Sequence, residues 1–327
     1  ASLIVERAKL EEVPCKIIEG ISFLEPVFTA LKLDPFDGMM MIDALQIREL
    51  LIPPVNFGKS LLIAQIYSRE IASDIKLLLS SIYPDDYLVS LVHGAGTDKA
   101  TIENIRLFEI DRSKHIGLTT TLYVPGWNED STFEFLLNVI ARLRAPDGCP
   151  WDSEQTHLSL RPYLLEEAYE VVEALDQEDD SKLKEELGDL MLQIVLHSQI
   201  AAEEGEFNIY DVLKGISKKL VTRHPHVFAS EKVDSVDHVV QNWEKLKEKE
   251  RKEKGEEVIN GLLKGVSSGL PALIQAQQYQ ERTARVGFDW FDIDGVKKKI
   301  LEELNEVNSA ETQEDLEAEM GDLLFSI

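Results

Sequence analysis

The feature that most constrains this chain is a helical pattern of carboxylates that occurs twice. LLEEAYEVV followed by EELGDLML, between Leu164 and Leu192, returns between Ile300 and Phe325 as ILEELNEVN followed by AEMGDLLF, with the acidic residues in the same order. In the first copy Leu164, Leu165, Ala168, Val171, Val172 and Leu175 form an apolar stripe. Leu183, Leu187, Leu190, Ile194 and Val195 form another, so two antiparallel amphipathic helices are expected. Glu167 and Glu170 are spaced i,i+3, as are Glu186 and Asp189, so each pair projects from one face of its helix. Packing the helices brings four like charges together. The period is too long for a solenoid, which points to duplication of a whole helical unit, with the second copy stopping just after its motif.

Unneutralised, each close carboxylate pair costs on the order of 1 kcal/mol in water and several in a less polar cleft. A divalent cation removes that cost. An all-oxygen donor set without a Cys or His cluster favours Mg2+, with Mn2+ as a substitute, over zinc. The chain has 60 acidic against 34 basic residues, a formal net charge of -26. That disfavours binding to a nucleic acid polymer, since no broad basic surface can release counterions. A free nucleotide needs only a local pocket and a bridging metal ion. No apolar run approaches the length of a membrane span, and the start lacks the plan of a signal peptide, so a cytoplasmic protein without membrane contact is expected. Cys15 and Cys149 stand outside any CxxC pattern and read as buried small hydrophobes.

The halves differ in period. From Val13 to about Pro125 short apolar runs alternate with helical stretches: CKIIEG, GMMMIDA, KSLLIAQIY, YLVSLVHGAG, IRLFEI and TTTLYVP read as strands, SFLEPVFTAL and SREIASDIKLLLSSI as helices. This is α/β material. After Pro125 and Gly126 the strand signals almost vanish, and the remainder reads as helical. The expected organisation is therefore multidomain: α/β over 1–126, an all-α bundle over 127–250, a charged linker over 251–268, and a truncated second helical copy over 269–327.

The pattern EExxE…ExxD, with GCPWDSEQTH before it and RHPHVF after it, closely resembles the MazG family of nucleoside triphosphate pyrophosphohydrolases. The resemblance runs from about Phe133 to Ile327 and includes RTARVGFDW ahead of the second copy. It implies an all-α, usually dimeric enzyme that hydrolyses NTPs to NMP and diphosphate with magnesium. The family's metal ligands fall on Glu167, Glu170, Glu186 and Asp189, and in the second copy on Glu303, Glu306, Glu319 and Asp322. The acceptor of the attacking water's proton stays open among Glu166, Glu185 and the ligands themselves. Lys219 and Arg223 are i,i+4, as are Trp243 and Lys247, and both pairs match nucleotide-contacting positions of the family. Lys219, Arg223 and Lys247 are expected on phosphates, Trp243 against base or sugar.

The first 126 residues resemble, more loosely, the later part of a tetrapyrrole methylase domain that uses SAM. On that resemblance Gly20, Ile21 and Ser22 match a loop approaching SAM, and Ala95 in HGAGT a later contact. A strand-to-helix turn accounts for both stretches without a cofactor. The opening lobe of such a domain has no counterpart here, so SAM is expected only in a longer parent protein. Two other functions stand beside the hydrolase: a fragment of a bifunctional protein with methyltransferase activity, and a non-catalytic helical dimerisation module.

Overall fold

The computed structural model describes residues 2–16, 22–229, 235, 239, 242–243, 246, 250, 263 and 266–327. It divides into two compact units, 1–212 and 213–327.

In the first unit α1 (Ser2–Leu10) and α2 (Leu24–Leu31) precede a five-stranded sheet. Its strands are β1 (Met40–Asp43), β2 (Leu61–Ala64), β3 (Leu88–His93), β4 (Thr101–Arg106) and β5 (Thr121–Val124), in the order β1-β2-β5-β3-β4. Only β1 and β2 run parallel. The one-turn α3 (Ala44–Ile47) and the longer α4 (Arg69–Leu79) follow β1 and β2 respectively. Alternation along the strands decides which layer each side chain joins. Leu61, Ile63, Val89, Leu91, Leu122 and Val124 meet Ile71, Ala72, Ile75, Leu78 and Leu79 of α4 in the main core. Leu62, Val92 and Tyr123 point the other way and pack with Val27, Leu24 and Phe28 of α2. Helix α4 starts where Ser68 Oγ accepts from the Ile71 amide at 3.2 Å, and Lys76 ties it to Asp111 at 2.5 Å.

IRLFEI is not one strand. Strand β4 ends at Arg106, and Leu107–Arg112 form a 3-10 helix. Leu107 and Ile110 are both fully buried; their spacing of three matches the turn of that helix, so the apolar run reports burial rather than extension. Met40–Asp43, Leu61–Ala64, Leu88–His93 and Thr121–Val124 are strands within the runs read as such. Most of CKIIEG lies outside the described residues. Cys15 is exposed and Cys149 half-buried, contrary to their reading as core residues. Cys15 sits on a segment without regular structure, where an apolar residue has no layer to enter.

The rest of the unit is helical: α5 (Phe133–Arg144), α6 (Pro150–Glu154), α7 (His157–Asp176) and α8 (Asp180–Glu203). Thr156 caps α7, exchanging hydrogen bonds with Ser159, and Asp179 caps α8 by accepting from the Ser181 and Lys182 amides. Ile140, Leu160, Val195, Leu196 and Ile200 form the core between α5, α7 and α8. Arg144 locks its rim, since its buried guanidinium donates to Glu203 Oε2 at 2.8 Å and to the carbonyls of Asp152 and Gln155. In the GCPWD turn the Cys149 amide donates to Leu143 O at 2.7 Å, and a Cβ on Gly148 would collide with the carbonyls of Arg142 and Leu143. That glycine serves the turn.

Helix α9 (Ile209–Arg223) crosses the division and α10 (Pro225–Phe228) follows it. His224 Nδ1 lies 2.7 Å from Leu220 O, so this histidine helps close α9. The second unit also contains α11 (Ala272–Ala284), α12 (Ile293–Ser309) and α13 (Gln313–Ser326), the last two packed as a hairpin. Most of the charged linker expected at 251–268 lies outside the described residues. Among the described residues no helix is long and apolar enough to cross a membrane.

Candidate metal and nucleotide site

The α7–α8 hairpin brings carboxylates from both helices to one place. Glu167 of α7 and Glu186 and Asp189 of α8 each offer an oxygen within 4.8 Å of the others. Glu186 is buried and the other two are half-buried. Burial first, then the charges of Asp189 and Glu170, push the Glu167 carboxyl above its ordinary range. Burial and the charge of Glu170 do the same to Glu186, against a downward pull from Lys182. Lys182 does not neutralise the cluster by contact, because its ammonium is held by Glu173 at 2.7 Å. Glu170 lies outside the three-oxygen cluster yet raises both Glu167 and Glu186, which places its charge at the edge. Glu166 and Glu185 are exposed beside it. All donors are carboxylate oxygens, a set that suits a hard divalent ion with positions left for other oxygens.

A second triad repeats the arrangement in the other unit, formed by Glu303 of α12 with Glu319 and Asp322 of α13. Glu306, like Glu170, stays outside the cluster; burial, then Glu303 and Glu319, push its carboxyl upward. The copies differ in their counter-charge. Lys299 reaches Glu303 at 2.5 Å and Glu302 at 3.0 Å, and these partners raise its own pKa. A cavity of about 880 Å³ borders Lys299 and is lined by Tyr279, Phe288, Trp290 and Phe325.

Of the expected phosphate contacts, Lys219 is exposed on α9. Arg223 donates to both oxygens of Glu250, at 3.2 and 2.5 Å, and lies 5.9 Å over the Trp243 ring. Lys247 lies outside the described residues. So do Gly20 and Ile21 of the expected SAM loop. Ser22 Oγ accepts from the Leu24 amide at 3.1 Å and so opens α2. Ala95 packs into the α2 layer, in a loop where Gly94 and Gly96 both take positive φ and Gly96 sits against Pro26. Both positions are accounted for by chain reversal.

Gln193 does not stand out in the sequence, and His197 reads there as a packed histidine on an apolar helix. Gln193 and His197 lie on the next turns of α8, and each has a buried side-chain atom without a hydrogen-bond partner, Oε1 and Nε2. Their i,i+4 spacing was visible, but each was surrounded by apolar residues and looked like packing.

Residues 155–228 match the MazG nucleotide pyrophosphohydrolase domain. The nucleoside triphosphate pyrophosphohydrolase/pyrophosphatase MazG of Thermotoga maritima is 47% identical over 195 residues, covering 60% of this chain and 73% of that protein. The chain belongs to the MazG family. The nucleoside triphosphate pyrophosphohydrolase of Escherichia coli K12 is 45% identical over 197 residues, covering 58% of this chain and 74% of that protein. The uncharacterized protein YabN of Bacillus subtilis is 41% identical over 283 residues, 85% of this chain. The chain spans 56% of the length of YabN.

Proposed function

We propose that this MazG-family chain hydrolyses nucleoside triphosphates to the monophosphate and diphosphate at Glu167, Glu186 and Asp189, with magnesium, or manganese in its place, as the bound ion. The observation that carries this reading is the convergence of three carboxylate oxygens, within 4.8 Å, from two helices whose caps and core fix their register. When bound, the ion polarises a phosphoryl oxygen and lowers the pKa of a coordinated water. The chain's own part is positioning and charge. Glu167, Glu186 and Asp189 hold the ion, and Glu166, Glu170 and Glu185 surround them as acceptors for the proton of the attacking water. Lys219, Arg223 and Lys247 are the family's phosphate contacts.

The second helix pair is read as a further MazG copy, and the enzyme as a homodimer. Leu165, Tyr169, Val172 and Leu175 of α7 and Leu187, Met191 and Ile194 of α8 remain exposed, each at about two-fifths or more of its free surface. Two apolar strips of this length on adjacent helices suit a second copy of the same hairpin.

The test is NMP formation from each common NTP, followed by chromatography, with diphosphate measured through an added inorganic pyrophosphatase. Wild-type turnover should require the divalent ion, and Glu167→Gln or Glu186→Gln should lower kcat by about a hundredfold or more, in line with losing a charge that acts on the transition state. Turnover that persists in both variants would end the assignment.

A further inference from the structure

Gln193 lies four residues beyond Asp189 and seven beyond Glu186, so it shares the face of α8 that carries the first triad. That face is turned inward at both levels, with Glu186 8% exposed and Gln193 5%. Glu186 finds Glu167 and Asp189 there. The Gln193 Oε1 is buried with no hydrogen-bond partner among the described residues. Proteins satisfy buried amides with few exceptions, so a buried acceptor without a partner in the chain calls for one supplied from outside it. Ser198, the nearest buried hydroxyl in sequence, is already committed to the Ile194 carbonyl at 2.8 Å.

The position also limits what that partner is. At a helical rise of 1.5 Å per residue, Gln193 lies about 6 Å beyond Asp189 and about 10 Å beyond Glu186 along the helix axis. A mononucleotide laid along α8 with its phosphates at the triad carries its base to that level. A carboxamide presents a donor and an acceptor side by side, the complement of a nucleobase edge that does the same. A phosphate would call for a cation instead, and neither Lys182 nor Arg144 is free for it, being held by Glu173 and Glu203.

We propose that Gln193 reads the base edge of the nucleotide bound at Glu167, Glu186 and Asp189, and so sets which base the first site prefers. This rests on the nucleotide reading of that triad. A site built to pair a polar edge rejects ligands that leave its buried group unpaired, so the effect belongs in the ranking of bases rather than in chemistry.

The experiment compares kcat/KM for ATP, GTP, CTP and UTP in the wild type, Gln193→Met and Gln193→Glu, with Mn2+ titrated into each by calorimetry. The methionine keeps the shape and loses both polar atoms; the glutamate keeps the acceptors and loses the donor. The wild type should rank the four substrates. Gln193→Met should lower kcat/KM for the best substrate by about tenfold or more, mainly through KM, and compress the ranking. Gln193→Glu should reorder it toward bases that present an amino group, and serves alone if the methionine variant does not fold. Unchanged Mn2+ affinity shows that the triad survives in each variant. A ranking that stays the same, a uniform drop for all four accompanied by a lower Tm, or a wild type indifferent to base would overturn the proposal. A wild type that hydrolyses none of the four removes the nucleotide reading and this proposal together, and that failure shows before any variant is made.

Discussion

His157 and His197 face each other through their Nδ1 atoms, 2.8 Å apart, with ring planes 5° from parallel and ring centres 5.1 Å apart. That centre separation is what remains when both rings point Nδ1 at one another, so the contact is edge to edge and one shared proton joins the N-terminus of α7 to α8. The surrounding charges are Glu204, 3.9 Å from His157 Nε2, and the Arg144–Glu203 pair on the same rim. Burial, then the neighbouring His157, holds His197 below its ordinary pKa. A depressed histidine is neutral in the folded state while the unfolded chain takes up a proton, so its contribution is whole above the unfolded pKa of about 6.5 and is lost as pH falls toward the folded one. Urea or thermal unfolding of the metal-free protein between about pH 8 and pH 5 should therefore show, against the opposing gain from Glu167 and Glu186, a histidine component that declines below about pH 6.5. His197→Gln should flatten it and lower stability at neutral pH by about 1 kcal/mol, roughly 2–4 °C in Tm. A wild-type profile identical to that of His197→Gln would dismiss the pair as a stabilising contact.

Metal binding should be visible without any turnover. Glu167 and Glu186 have raised pKa values through burial and like charge, so the folded metal-free protein gains from protonation, and this gain grows as pH falls toward the unfolded value. At neutral pH a divalent ion takes over that role. Magnesium at about a hundred times its Kd should add about 2.7 kcal/mol to the unit that holds it, and the increment should shrink as pH falls. Glu186→Gln should raise the Tm of the metal-free protein and abolish the magnesium increment at the first triad. Calorimetric scans with EDTA and with magnesium check both, and an increment that survives the substitution would place the ion elsewhere.

How much was legible in the sequence follows from the range of each interaction. Leu61 to Val124 could be read because alternation along a strand is local, and both layers of the sheet core obey it. Glu167, Glu186 and Asp189 could be placed on facing helices because i,i+3 spacing puts each pair on one side of its helix, but the apolar stripes did not fix which side turns inward, since Leu165, Val172, Leu175, Leu187 and Ile194 of those stripes stay exposed. That Glu170 acts on Glu167 and Glu186 from just outside the three-oxygen cluster was not legible, since i,i+3 spacing fixes a side of α7 and not where each carboxylate oxygen ends. Nor was the pairing of His157 with His197, forty residues apart, which the register of the hairpin decides. Leu107 and Ile110 misled because an apolar run of that length is silent about whether its period is two or three.

The exposed strips on α7 and α8 make a prediction about assembly. If a second copy covers them, light scattering coupled to size exclusion should give twice the chain mass. Val172→Asp and Leu187→Asp, each placing a charge within one strip, should shift the protein to a monomer without lowering the helix content. Both side chains are about half exposed in the single chain, so the substitutions leave its core intact. Surface changes of this kind ordinarily alter folding stability by less than about 0.5 kcal/mol. A wild type that runs as a monomer at all concentrations would rule out this face as a dimer contact.

The two triads should differ in affinity for the ion because their lysines are placed differently. In the first, Lys182 is drawn off to Glu173; in the second, Lys299 sits directly on Glu303 at 2.5 Å, where its charge already does part of what a cation would do. An ion entering the second triad must displace that ammonium or share Glu303 with it. Manganese titration by calorimetry should therefore resolve a tighter class of sites and a weaker one, with Glu186→Gln deleting the tighter and Glu303→Gln the weaker. Lys299→Met should strengthen the weaker class by about tenfold, because removing the competing charge leaves Glu303 with only like charges beside it. Loss of the weaker class in Lys299→Met would show instead that the lysine holds Glu303 in its ligating position.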